Sequence, residues 1–286
     1  MLTQKTYKIA AKDGYQLTAS GFEDLEVTPS CLVIINSAVG VLRTYYQPFA
    51  KFLANKGMVV ISYDYRGVGD SLNGPVDQFK GYMHQWGEQD LAGVIDWVKQ
   101  HYPDLPIKCV GHSVGAQMVG MADNNHHIDT LVAIAGQNGY WKNWQGKEKL
   151  KIVLCMFLLI PVISRILGYF PGKILNGCDL PGNVAREWAY WCRNKHFIVD
   201  QKGQPKRQYF NRYNGKAIFY SFYDDIQFAP RLAVDALSSL YPAAQKTSKH
   251  IEAGEVGERA IGHFGFFRSS FRKTLWVQIL TLLKTG

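Results

Sequence analysis

The chain has 286 residues, 47% hydrophobic and 19% charged, which allows a sizeable buried core and excludes the disordered and fibrous classes. Its formal charge of +9 is unevenly placed: residues 141–212 hold thirteen Lys+Arg against four Asp+Glu, and the remainder is balanced. A neutral body with one basic segment argues against nucleic-acid binding and for a single surface that meets an anionic partner or substrate.

Thr6 to Ala11 and Tyr15 to Ser20 flank the pair Asp13-Gly14 and read as a hairpin. Cys31 to Ile35 is continuously apolar and β-branched, as a strand buried on both faces requires, and it ends at Asn36-Ser37-Ala38-Val39-Gly40. Thr44 to Lys56 carries apolar residues at helical spacing and stops at Gly57. Met58 to Tyr63 reads as a second buried strand, Gln85 to Lys99 as a helix, and Ile107 to Val110 as a third strand. The alternation continues through Ile128 to Ala135, Ala217 to Tyr223, Arg231 to Leu240 and Ser248 to Ala253. A helix over Phe267 to Leu283 closes the chain. This rhythm predicts an α/β fold, with a mostly parallel sheet covered by helices on both faces.

Residues 141–212 break the rhythm. They contain four of the seven tryptophans, three of the five cysteines and the apolar run Ile152 to Ser164. At 13 residues between Lys151 and Arg165 that run is too short to span a bilayer, so no transmembrane segment is expected. Val184, Trp188, Trp191 and Cys192 share one helical face. The segment is read as a helical cap, 141–212, inserted into an α/β core formed by 1–140 and 213–286. Peripheral membrane contact through this basic cap is compatible with its composition. The N-terminus lacks the basic start, apolar run and cleavage site of a secretory signal, and the expectation is a mature, cytoplasmic protein.

The cysteines form no C-x-x-C pair, and neither H-E-x-x-H nor a P-loop occurs, so reduced thiols and no metal or organic cofactor are expected. Gly111-His112-Ser113-Val114-Gly115 fits G-x-S-x-G and stands between a strand and a helical stretch, where a sharp turn projects a serine from the sheet edge. A serine hydroxyl needs a base whose tautomer a third group fixes. Two aspartates, Asp224 and Asp225, follow one strand, and Gly262-His263-Phe264-Gly265 follows the next. His250 competes with His263 but lies within a predicted strand. His112 reads as a packed neighbour of the turn, and the loop Asp64 to Ser71 as structural. Backbone N–H groups are the usual oxyanion donors: Val114, and from the loop after the first parallel strand Val39, with Ala38 as the second choice.

The combination N-S-A-V-G, D-Y-R-G-V-G-D-S, G-H-S-V-G, D-D-I-Q-F-A-P and G-H-F-G-F-F-R resembles the α/β-hydrolase superfamily over nearly the whole chain. Within it, the chain is similar to bacterial hydrolases related to serine aminopeptidases (S33) and monoacylglycerol-lipase-like enzymes. The resemblance implies Ser113 as nucleophile, Asp225 as acid and His263 as base. It departs at Ser37-Ala38, where the family carries His-Gly. The activity it implies is hydrolysis, through an acyl-enzyme, of a small-molecule ester or amide; separately, the apolar run and tryptophans of the cap would suit an apolar acyl chain. An acyltransferase of the homoserine acetyltransferase type and a non-catalytic binding protein are the rival readings; substrate identity and oligomeric state stay open.

Overall fold

The structure, a computed structural model, describes residues 1–175, 177–257 and 260–284. Eight strands form one sheet: β1 Leu2–Ala10, β2 Gln16–Asp24, β3 Cys31–Asn36, β4 Met58–Tyr63, β5 Ile107–His112, β6 Ile128–Ile134, β7 Lys216–Phe222 and β8 Gln245–Ile251. Their order is β1-β2-β4-β3-β5-β6-β7-β8. The first two strands form the hairpin across Gly14, which takes a φ of +85°, and β2 also runs antiparallel to β4. Every other pairing is parallel. Strands β3, β4 and β5 bury all their residues, as continuous apolar runs inside a covered parallel sheet must.

Helices α1 Gln47–Ala54, α2 Ala92–His101 and α3 Val114–Val119 connect the early strands, and Gly57 at φ +81° turns the chain from α1 into β4. The chain passes from β3 to β4 on one side and then to β5 on the other. The carboxyl ends of β3 and β5 therefore flank a topological switch point, the crevice where open α/β sheets bind ligands.

Between β6 and β7 lie α4 Gly146–Leu167, α5 Gly182–Arg193 and α6 Gln208–Arg212. Helix α4 corrects the sequence reading of its apolar run. It spans 22 residues and by length and composition alone is long and apolar enough to cross a membrane, although only 22% of its most apolar window is buried. Lysines do not end a helix, because their straight side chains lose little freedom in one. The stop comes at Gly168, which adopts the left-handed conformation at φ +79°. Residues 155–159 within α4 form a π turn just before Pro161.

After β7 the chain forms α7 Arg231–Ser238, β8, α8 Gly262–Gly265 and α9 Leu275–Lys284. A single closing helix from Phe267 does not form. Phe266 and Phe267 are instead buried against Tyr46, Phe49 and each other, and Trp276 Nε1 donates to the Phe266 carbonyl at 2.7 Å. The aromatic packing fixes a bend there at the expense of helical continuity.

Candidate active site

Strand β5 ends at His112, and Ser113 follows at φ 53°, ψ −117°, before the first turn of α3. A non-glycine residue held there is strained and persists only when its surroundings over-determine it. The flanking glycines show how. A Cβ on Gly111 would meet the Ala116 nitrogen at 2.6 Å, and one on Gly115 would collide with the Asn36 carbonyl of β3. Ser113 N–H donates to the Ile134 carbonyl at 2.9 Å, and its Oγ–H donates to Gln137 Oε1 at 3.3 Å.

Asp225 lies just beyond β7 and His263 within α8. Their side chains meet through Nδ1 and Oδ2 at 2.6 Å, both buried. The Asp225 carboxylate is held from its other side as well: Oδ1 accepts the backbone N–H groups of Phe228 and Ala229 at 3.3 and 3.2 Å. Asp224 faces elsewhere, where its Oδ1 accepts the Gly262 N–H at 2.9 Å and anchors the entry to α8. His250 is remote from this group; its Nδ1 bonds Ser221 Oγ at 2.8 Å. The His263 Nε2 makes no hydrogen bond among the described residues.

On the loop after β3, Ala38 N–H is committed: it donates to the Tyr46 hydroxyl at 2.8 Å. Val39 N–H and Val114 N–H take no hydrogen bond among the described residues. The Tyr46 hydroxyl contacts His112 Nδ1 at 2.9 Å, and His112 Nε2 lies 2.9 Å from the His263 carbonyl. A carbonyl only accepts, so His112 carries its proton on Nε2 and accepts a hydrogen bond from the Tyr46 hydroxyl at Nδ1. Burial, followed by the charge of His263, pushes His112 well below the ordinary histidine value, which keeps it neutral. The histidine preceding the serine thus ties the loop after β3, through Tyr46, to the backbone of His263.

A cavity of about 100 Å³ reaches the Ser113 hydroxyl through its partner Gln137, which lines it together with Phe228 and with Ile152, Met156, Trp188 and Cys192 from α4 and α5. The Phe228 ring packs on His263 at 5.1 Å. The two charged residues on the lining, Glu148 and Lys151, pair with each other at 2.9 Å. Sequence reasoning missed Gln137. The available signal was its place three residues after β6, at the same sheet edge as Ser113, but glutamine types no reaction by itself.

The sequence profile of the family described as "Serine aminopeptidase, S33" matches residues 28–204, more than half of the chain. A lysophosphatidylserine lipase, ABHD12 of Xenopus tropicalis, is 39% identical over 74 residues, 26% of this chain and 17% of that protein. The monoglyceride lipase of Rattus norvegicus is 23% identical over 153 residues, 52% of this chain and 48% of that one. The chain therefore spans less than half the length of these two relatives. Among solved structures, the Pyrococcus furiosus esterase PF2001 superposes with a TM-score of 0.62 at 16% identity, covering 99% of this chain and 91% of that one, a likeness of fold. With its matched profile and its eight-stranded sheet, the chain belongs to the serine aminopeptidase S33 family of the α/β-hydrolase superfamily.

Proposed function

We propose that the protein hydrolyses a carboxylic ester of a small molecule through an acyl-enzyme, with Ser113 as nucleophile, His263 as general base and Asp225 as the group that orients it. The observation that carries this reading is the strained Ser113 at the sheet edge together with the 2.6 Å pair of Asp225 and His263 at the same edge. The Ser113 hydroxyl turns from Gln137 toward Nε2 of His263, which has no hydrogen-bond partner among the described residues and takes its proton as Oγ attacks the carbonyl carbon. The negative charge that forms on the carbonyl oxygen is met by the Val39 and Val114 N–H groups, both without an internal partner. His263 then protonates the leaving alcohol, and water repeats the sequence to release the acid.

Residues 141–212 act in this reading as a cap over a body made of 1–140 and 213–286. The acyl group enters the cavity between them. Its apolar walls and its self-neutralising Glu148 and Lys151 favour an uncharged apolar chain over an anionic one. Ester rather than amide cleavage is supported by the named activities of the relatives, two lipases and an esterase.

A fluorophosphonate probe tests the assignment, because an activated serine attacks phosphorus as it does a carbonyl. The probe labels Ser113 in the wild type, and Ser113→Ala loses both labelling and ester hydrolysis, the latter by roughly 10⁶-fold. Equal labelling of the Ala variant moves the nucleophile elsewhere.

A further inference from the structure

Helix α4 presents two faces. One carries Ile152 and Met156 into the cavity beside Ser113. The other leaves Leu150, Leu154, Phe157, Leu158, Val162 and Ile166 in solvent, with Leu150 71% and Ile166 75% exposed. These recur at three-to-four spacing and make one continuous apolar stripe along the helix. Basic side chains border it. Lys147 and Lys151 lie at its start, the Arg193 guanidinium stands over the Phe157 ring at 5.8 Å, and Lys149 stands over Trp141, whose ring meets Phe157 at 6.1 Å.

At the far end of the helix, where Ser164 and Gly168 border it, is a cavity of about 310 Å³ with a polar lining that includes Lys80, Arg165 and Arg186. None of the three forms an ion pair among the described residues, and neither does Asp77, the one acid on the lining. The Arg186 guanidinium is fixed in place: it donates to the Ser164 carbonyl at 2.8 Å, to Ser164 Oγ at 3.4 Å and to Asn183 Oδ1 at 2.6 Å. Burial, and then the charge of Arg165, lower Arg186 below its ordinary value, as two cations without a counter-ion must. Asn183 stands in the first turn of α5, at the positive end of that helix, and Arg186 follows one turn on.

We infer that α4 docks this protein on an anionic phospholipid surface, with the apolar stripe among the acyl chains and a lipid phosphate in the cavity of Lys80, Arg165 and Arg186. An apolar helical face bordered by lysine, arginine and tryptophan is the composition of a helix lying in a membrane interface. A spanning orientation is disfavoured because it would strip Ile152 and Met156 from the cavity they line. A second copy of the chain is the weaker occupant, since it would bring one strongly basic face against another. The inference does not depend on the hydrolytic reading, because docking is measured without turnover.

The full-length protein is mixed with phosphatidylcholine vesicles with and without phosphatidylglycerol, and the fraction sedimenting with lipid is measured. The wild type sediments with the anionic vesicles. Lys80→Gln and Arg165→Gln each weaken binding about five-fold, a loss that added salt erases. Leu154→Ser with Ile166→Ser weakens it by more than about tenfold at any salt. Unchanged melting curves and unchanged fluorophosphonate labelling at Ser113 show that these variants remain folded and that the active site is untouched. Three results overturn the inference: no sedimentation of the wild type with anionic vesicles; binding of inorganic phosphate to the cavity by calorimetry without vesicle binding; or a dimer in solution that Leu154→Ser with Ile166→Ser dissociates.

Discussion

The sheet and the segment between β6 and β7 spend their apolar residues in opposite ways. Strands β3, β4 and β5 bury every side chain, whereas α4 keeps seven large apolar side chains exposed, six of them in its stripe, and directs others into a cavity. An apolar side chain in the sheet contributes to folding in proportion to the area it removes from water. One on the outer face of α4 contributes less to folding, in proportion to its exposure, and leaves apolar area available to a ligand. On the proposed function and the inferred docking, the difference separates two tasks: the body holds Ser113, His263 and Asp225 at a strained, over-determined edge, and the inserted segment meets the substrate and the surface that supplies it.

The sharpest way to break this division is to disturb the body's reacting groups. Asp225→Asn is expected to lower kcat by about 10⁴-fold, because only the carboxylate fixes the imidazole tautomer and stabilises its cation. Asp224→Asn is expected to cost far less, since its hydrogen bond goes to the Gly262 backbone. Steady-state kinetics on one ester with both variants decides it, and the reverse ranking would transfer the orienting role to Asp224. Next in size is a packing change. Ile34→Ala, in a fully buried position of β3, is expected to destabilise the protein by about 2–5 kcal/mol in urea unfolding.

Much of this was legible in the sequence, for identifiable reasons. The β-branched runs at Cys31 to Ile35 and Met58 to Tyr63 admit one interpretation, and the glycines around Ser113 are dictated by contacts a Cβ would destroy. The order of Ser113, Asp225 and His263 is a consequence of strand order. What escaped reading depended on tertiary contact. The choice against Ala38 rests on the Tyr46 hydroxyl capturing its N–H, and nothing local to Ser37-Ala38 announces that. The end of α4 was misplaced because Lys151 and Arg165 were read as boundaries of a run that continues through both. The basic residues near 206 also looked like one field, yet Lys206 pairs with Glu88 and Arg207 is spent on the carbonyls of Ile198, Lys206 and His196.

A smaller effect sharpens the account of the body. Buried His112 is neutral in the folded chain, its value lying well below the ordinary 6.5. Below pH 6.5 the unfolded chain binds a proton that the folded chain refuses. The stability that neutral His112 supports is therefore complete above that pH. It is lost as the pH falls toward the lower folded value, by at most about 1.4 kcal/mol per pH unit. His112→Gln removes this slope, which urea unfolding at a series of pH values measures as the difference between variant and wild type. Parallel curves for the two proteins would show that the ring is not excluded from protonation.

The smallest expected effect bears most directly on the comparison. Leu154 is half exposed on α4, and Ile166 three-quarters, so replacing either with serine removes little area that folding had buried. Serine is also a somewhat poorer helix former than leucine, by a few tenths of a kcal/mol. The sum predicts that Leu154→Ser changes unfolding free energy by no more than about 0.5 kcal/mol, an order of magnitude below the larger estimate for Ile34→Ala. The two substitutions remove comparable aliphatic volume, so the contrast isolates burial from side-chain size. If Leu154→Ser instead costs more than about 2 kcal/mol in the same urea assay, the outer face of α4 is packed in solution. The stripe would then belong to the folding core, and the division between a stable body and a ligand-facing insert would fail.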